Sequence, residues 1–127
     1  MISADSLVLI GEDEPDNQVI LQTVVESLVG VRAEVAGDGL AVLASVSRER
    51  PKMILLDLMM PGLDGFQVTR QLKSDPSTAG IPIVAVSAMA RPDDREAALA
   101  AGCDEFVRKP FELDDLEAVI RSYLDRG

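Results

Sequence analysis

Short apolar runs alternate with helix-period stretches five times along this chain, and that alternation leaves few architectures open. The strand candidates cover about 6–11, 31–35, 53–57, 82–87 and 104–107. The helix candidates cover about 15–29, 38–48, 64–74, 92–101 and 112–125. Strands one, three and four are nearly continuous apolar stretches, as strands covered on both faces should be. Strands alternating with helices imply right-handed crossovers and a parallel sheet with helices on both sides. At 127 residues, one compact domain is expected. Apolar residues are 47% of the chain, enough for a core of Val, Leu, Ile and Ala without any Trp.

Local signals mark the element ends. Pro15 suits a first helical turn. Asp38 and Asp64 are placed to cap the second and third helices. Gly102 follows the Ala-rich fourth helix as a left-handed stop. The fifth helix sets Leu113, Leu116, Val119 or Ile120, and Tyr123 or Leu124 on one stripe.

In an open parallel sheet the loops after the strands share one edge, and ligands bind there. That edge would gather Glu12-Asp13-Glu14 after strand one, Asp57 at the end of strand three, Ser87 at the end of strand four and Lys109 after strand five. Taken alone, Glu12-Asp13-Glu14 reads as a solvated loop with helix-start charge. Beside Asp57 it reads as a cation site. Two carboxylates about 4 Å apart repel by roughly 4 kcal/mol at an effective dielectric near 20. Three therefore need a cation or raised pKa values. Magnesium, hard and oxygen-seeking, is the natural occupant.

Asp57 leads into Met59-Met60-Pro61-Gly62-Leu63-Asp64-Gly65, the Pro and Gly spacing of a rigid loop before a helix. A carboxylate held there can attack phosphorus and form an acyl phosphate. Lys109 pairs with Asp57 and then with its phosphate. The Ser87 hydroxyl either donates to a phosphoryl oxygen or caps the next turn.

Composition removes several alternatives. A net charge of −10 repels nucleic acid, so direct nucleic-acid binding is not expected. With no His, any phosphohistidine must belong to a partner. Cys103 is alone and reads as a small buried residue. No apolar run approaches the roughly 18 residues of a membrane span, and the start lacks a signal peptide's features, so no membrane role and a cytoplasmic location are expected.

Four blocks then resemble the receiver domain of two-component response regulators. They are Leu-Val-Leu-Ile-Gly-Glu-Asp-Glu-Pro-Asp-Asn at 7–17, Ile-Leu-Leu-Asp-Leu-Met-Met-Pro-Gly-Leu-Asp-Gly-Phe at 54–66, Ile-Pro-Ile-Val-Ala-Val-Ser-Ala at 81–88 and Ala-Gly-Cys-Asp-Glu-Phe-Val-Arg-Lys-Pro-Phe at 101–111. Together they cover essentially the whole chain, so the resemblance implies a single receiver domain over 1–127. It implies a flavodoxin-like doubly wound sheet of five parallel strands in the order 2-1-3-4-5, with five helices. Asp57 would accept phosphate from a histidine kinase or histidine phosphotransfer protein. Asp13, Asp57 and the backbone carbonyl of Met59 would hold Mg2+, with Glu12 helping through water. Ser87 and Phe106 would form the switch pair, Lys109 would bridge to the phosphate, and Lys109–Pro110 would be cis. The output face would be helix four, strand five and helix five, read by a downstream protein target. Such a protein is a signalling switch that catalyses only its own phosphoryl transfer and hydrolysis.

Departures from the pattern are small. Gly11 stands where a bulkier residue is usual, which would loosen the end of strand one. Met59 and Met89, two beyond Asp57 and Ser87, would leave an attacking water short of partners and prolong the phosphoryl group. A phosphate-independent interaction module would lack an acid, the hydroxyl or the lysine, and none is missing. A flavin site would be repelled by Glu12-Asp13-Glu14. An acid phosphatase would want a general acid where Met59 stands.

Overall fold

The computed structural model describes residues 2–88 and 91–126. Within them the chain runs β1 (Leu7–Gly11), α1 (Pro15–Thr23) continuing as a π-helical segment (Val24–Val29), β2 (Arg32–Ala36), α2 (Gly39–Arg48), β3 (Met53–Leu56), α3 (Gly65–Ser74), β4 (Ile83–Ser87), α4 (Pro92–Ala101), β5 (Glu105–Arg108) and α5 (Leu113–Asp125). All strand pairs are parallel, in the order β2-β1-β3-β4-β5. This is the doubly wound, flavodoxin-like arrangement that the strand–helix alternation and the resemblance led us to expect.

Strand alternation divides the core in two. Val8, Ile10, Leu55 and Val84 face Leu21 of α1 and Leu116 and Ile120 of α5. Leu9, Ile54, Leu56 and Ala85 face Val42 and Val46 of α2, Val68 and Leu72 of α3, and Ala98 of α4. Because β1, β3 and β4 carry apolar residues toward both layers, they read as continuous runs.

Two local expectations change. The sequence suggests one α-helix over 15–29, but its last six residues widen into a π-helix. There the Gly30 N–H reaches back five residues to the Val25 carbonyl at 3.0 Å, and the Val31 N–H shares that carbonyl at 3.2 Å. The wider turn carries Val24, Val25 and Val29 all into the α1–α5 layer. Over six residues, apolar spacing does not separate a 3.6-residue period from a wider one. Arg121 of α5 then ties down the segment by donating to the Leu28 carbonyl at 2.7 Å.

Gly11 does not loosen β1. It lies in register with Ala36 and Leu56, and its carbonyl accepts the Asp57 N–H at 2.8 Å. A Cβ here would stand 2.6 Å from Leu56 Cδ1 and 2.9 Å from Val42 Cγ2. Neighbouring side chains have taken the volume that a larger residue would occupy.

Candidate functional site

The strand ends bring four of the expected groups together at the carboxyl edge of the sheet. Glu12 is the first residue past β1. Its N–H continues the ladder to the Ala36 carbonyl at 3.0 Å, and its own carbonyl accepts from Gln18 Nε2 at 2.7 Å. This backbone anchoring turns the Glu12 side chain inward, where it is fully buried. One carboxylate oxygen accepts the Glu14 N–H at 3.1 Å, and the other accepts Lys109 Nζ at 2.6 Å.

Asp57 follows β3 directly. Its Oδ1 accepts the Met59 N–H at 2.9 Å, and its Oδ2 accepts Lys109 Nζ at 3.1 Å. Lys109 is delivered by the end of β5, where its N–H donates to the Ser87 carbonyl at 2.9 Å. The Lys109–Pro110 bond is cis, as the resemblance implied. Asp13 is exposed beside them, and one ligand oxygen each from Glu12, Asp13 and Asp57 all lie within 4.8 Å of one another.

Ser87 ends β4 and is fully buried. Phe106, paired in register with Ala85, is half-buried against the layer formed by α2, α3 and α4. Met89, the second of the two methionines thought to slow hydrolysis, lies outside the described residues.

The electrostatics follow from crowding. Burial raises the Glu12 pKa above its usual 4.5, and the Asp57 charge adds to this. Lys109 and the Glu14 N–H pull it back without cancelling it. Burial would lower the Lys109 pKa, but its hydrogen bond to Glu12 and the charge of Asp57 prevail, and it rises above 10.5. Three acids against one ammonium leave a net deficit of positive charge. Two of those acids are buried, which distinguishes the group from an ordinary solvated surface cluster. The donors are hard oxygens, so the residues fit magnesium better than a thiolate- or imidazole-seeking metal. Both Glu12 oxygens already hold donors, whereas Asp13 faces outward.

The β3–α3 loop is pinned on the site. Gly62 turns it at φ 73°, and Asp64 and Gln67 cap α3 reciprocally at 2.9 and 3.0 Å. Gly65 lets the start of α3 lie on the Asp57 backbone: a Cβ there would be 2.6 Å from both the Asp57 carbonyl oxygen and Leu58 Cα. Backbone cannot yield as a side-chain tip can. Gly65→Ala is therefore expected to cost about 1–3 kcal/mol of stability and to weaken magnesium binding. Urea denaturation and calorimetric metal titration check both halves.

Sequence reasoning paired Lys109 with Asp57 and did not see that its shorter contact is to Glu12. It also missed Gln18 and Gly65 as supports. Gln18 left a faint signal, a polar residue one turn into a helix whose loop carries the acids. Cys103 is buried beside Thr69, with its thiol pKa pushed up by burial, which suits the inert role expected of it.

A doubly wound parallel sheet with an acidic cluster and a lysine at its carboxyl edge places the chain in a class of α/β proteins whose strand ends form one polar site. The family model of the response regulator receiver domain matches residues 8–121, and the chain belongs to that family. Response regulator MprA of Mycobacterium leprae is 40% identical over 113 residues, covering 87% of this chain and 49% of that protein. DNA-binding response regulator MtrA of Mycolicibacterium smegmatis is 38% identical over 120 residues, covering 94% of this chain and 51% of that protein. The chain thus spans about half the length of these two relatives. Among solved structures, the receiver domain of sensor histidine kinase PA1611 from Pseudomonas aeruginosa superposes with a TM-score of 0.88 at 33% identity, covering 96% of this chain and 99% of that one. That crystal structure has a magnesium ion coordinated in its active-site cleft.

Proposed function

We propose that this chain is one phosphoacceptor receiver domain over 1–127, working in a two-component phosphorelay. It takes a phosphoryl group onto Asp57 from the phosphohistidine of a histidine kinase or phosphotransfer protein. The observation that carries this reading is the Asp57 carboxylate, held at one oxygen by the Met59 N–H and at the other by Lys109, beside two further acids.

In the transfer, one Asp57 oxygen attacks phosphorus, the N–P bond of the donor breaks, and its electron pair returns to the imidazole. Asp13, Asp57 and the Met59 carbonyl would hold Mg2+ and Glu12 would assist; when bound, the ion neutralises charge on the phosphoryl oxygens. Lys109 is already on Asp57 and needs little movement to follow the phosphate. The Ser87 hydroxyl then moves toward the phosphoryl group and Phe106 turns inward. This biases the face formed by α4, β5 and α5 toward a second state that a downstream protein reads. A chain of net charge −10 is not itself the nucleic-acid-binding part. No helix among the described residues is long and apolar enough to cross a membrane, which suits the cytoplasmic location we assign.

Incubation with acetyl phosphate and magnesium, followed by intact mass, tests the reading. One added phosphoryl group, removed by hydroxylamine as an acyl phosphate is, supports it. No gain, or a gain that hydroxylamine leaves in place, contradicts it. A long phosphoryl lifetime is a separate expectation. The Met59 side chain is 60% exposed at the mouth of the site and offers an attacking water no hydrogen-bond partner. Met59→Asn, which supplies an amide, is expected to shorten the half-life. Wild-type phosphoprotein decaying within seconds at neutral pH would contradict the idea.

A further inference from the structure

We infer that the crevice at the opposite edge of the sheet binds a small phosphorylated anion with an apolar body, of the nucleoside di- or triphosphate class. The crevice encloses about 520 Å³, within the roughly 300–1,000 Å³ of small-molecule sites. It is formed by the segments that enter β3, β4 and β5 and by the end of α5. A four-residue strand such as β3 spans about 13 Å, so this site is separate from Asp57.

Its charge runs against the rest of the chain. The protein has 12 Lys and Arg against 22 Asp and Glu. Four of the cations line this crevice (Arg50, Lys52, Lys73 and Arg126), and of the acids only Asp104 does. Asp104 is already compensated, because one of its oxygens accepts Lys73 Nζ at 3.0 Å and the Ile83 N–H at 2.8 Å. Lys73 is used up in the same way, donating also to the Ala79 and Ile81 carbonyls. These two residues are wall. The positive charge left for a ligand belongs to Arg50, Lys52 and Arg126, which suits two or three negative charges.

Each of the three is placed differently. Arg50 is held by donation from Nη1 to the Ser77 carbonyl at 2.5 Å, with its other terminal nitrogen beside Gly80. Arg126 lies over the Tyr123 ring at 4.3 Å. The Lys52 backbone N–H donates to the Leu7 carbonyl at 2.8 Å, and its ammonium makes no hydrogen bond or ion pair among the described residues. Helix carboxyl ends attract cations, and that alone accounts for Lys73 and Arg126. It does not account for Arg50, which reaches away from α2 to the loop before β4, or for Lys52. Between the cations lie buried Pro51 and Ile81, an apolar floor that inorganic phosphate would not use but a base or sugar would.

ATP titrated into metal-free protein, followed by amide NMR, tests the assignment. Shifts confined to 50, 52, 73, 79–81, 104 and 123–126 are expected, with adenosine and sulfate each binding far more weakly. The double variant Lys52→Gln/Arg126→Gln should weaken ATP roughly tenfold or more, with an unchanged thermal midpoint and undiminished phosphate uptake at Asp57. The inference is overturned by shifts centred on 12–13 and 57–59, by sulfate binding as well as ATP, by affinity unchanged in the variant, or by an acidic peptide binding these amides more tightly than ATP. Since phosphate uptake at Asp57 is read separately, failure here and failure of the receiver reading are distinguishable.

Discussion

Asp57→Asn is expected to abolish phosphate uptake and yet to raise the thermal midpoint of the metal-free protein. The amide keeps the shape of the side chain and a carbonyl for the Met59 N–H. It removes one charge from a group in which three carboxylate oxygens lie within 4.8 Å around a single ammonium. Two repulsions vanish with one attraction. After solvent screening, the net relief is about 1 kcal/mol, a few degrees for a domain of this size. Excess magnesium should reverse the order, because it binds the wild-type folded state more tightly and stabilises it by mass action. Thermal denaturation with and without magnesium, beside the acetyl phosphate assay, checks both parts. A variant less stable than wild type without metal, or one that still acquires a hydroxylamine-sensitive phosphoryl group, would be incompatible with the account.

Lys109→Ala should have the largest effect on stability. The Glu12 side chain is only 1% exposed and that of Lys109 13%, with 2.6 Å between them. Removing one member of such a pair leaves a buried charge uncompensated and costs roughly 3–5 kcal/mol. The pH dependence has a definite sign. The folded-state pKa of Glu12 already lies above 4.5. A raised carboxyl contributes stability that is fully present below its unfolded pKa and is lost as pH rises through its folded value. Deleting Lys109 removes what holds that pKa down, so the deficit should be greatest at neutral pH and above and should shrink on acidification. Magnesium should restore stability by the same logic. Urea midpoints at mildly acid and at neutral pH, with and without magnesium, measure it, and a deficit equal at both pH values would refute the Glu12 argument. In magnesium, the refolded variant should take up phosphate and fail to signal, because the phosphoryl group has lost its tie to β5.

The expected strands all form, within a residue or two of their expected limits, since apolar runs bounded by Pro, Gly and acidic residues are short-range signals. Convergence of Glu12, Asp13, Asp57 and Lys109 was legible for a topological reason, because the loops after parallel strands share one edge. The π-helical end of α1 was not legible, because the choice between the two helix types is settled by packing of Val24, Val25 and Val29 against α5. Gly11 was misjudged for the same kind of reason. The chain records a missing side chain, but not that Leu56 and Val42 fill the space.

Hydrophobic period and topology, both written along the chain, determined the element order, the fold class and which edge would gather the acids and Lys109. Tertiary structure alone decided that Lys109 lies nearer Glu12 than Asp57, that Gly65 lets α3 rest on the Asp57 backbone, and that four cations from separate segments line one crevice at the opposite edge of the sheet. Such contacts depend on a few tenths of an ångström between residues far apart in sequence. Only the closed packing of both core layers sets distances on that scale.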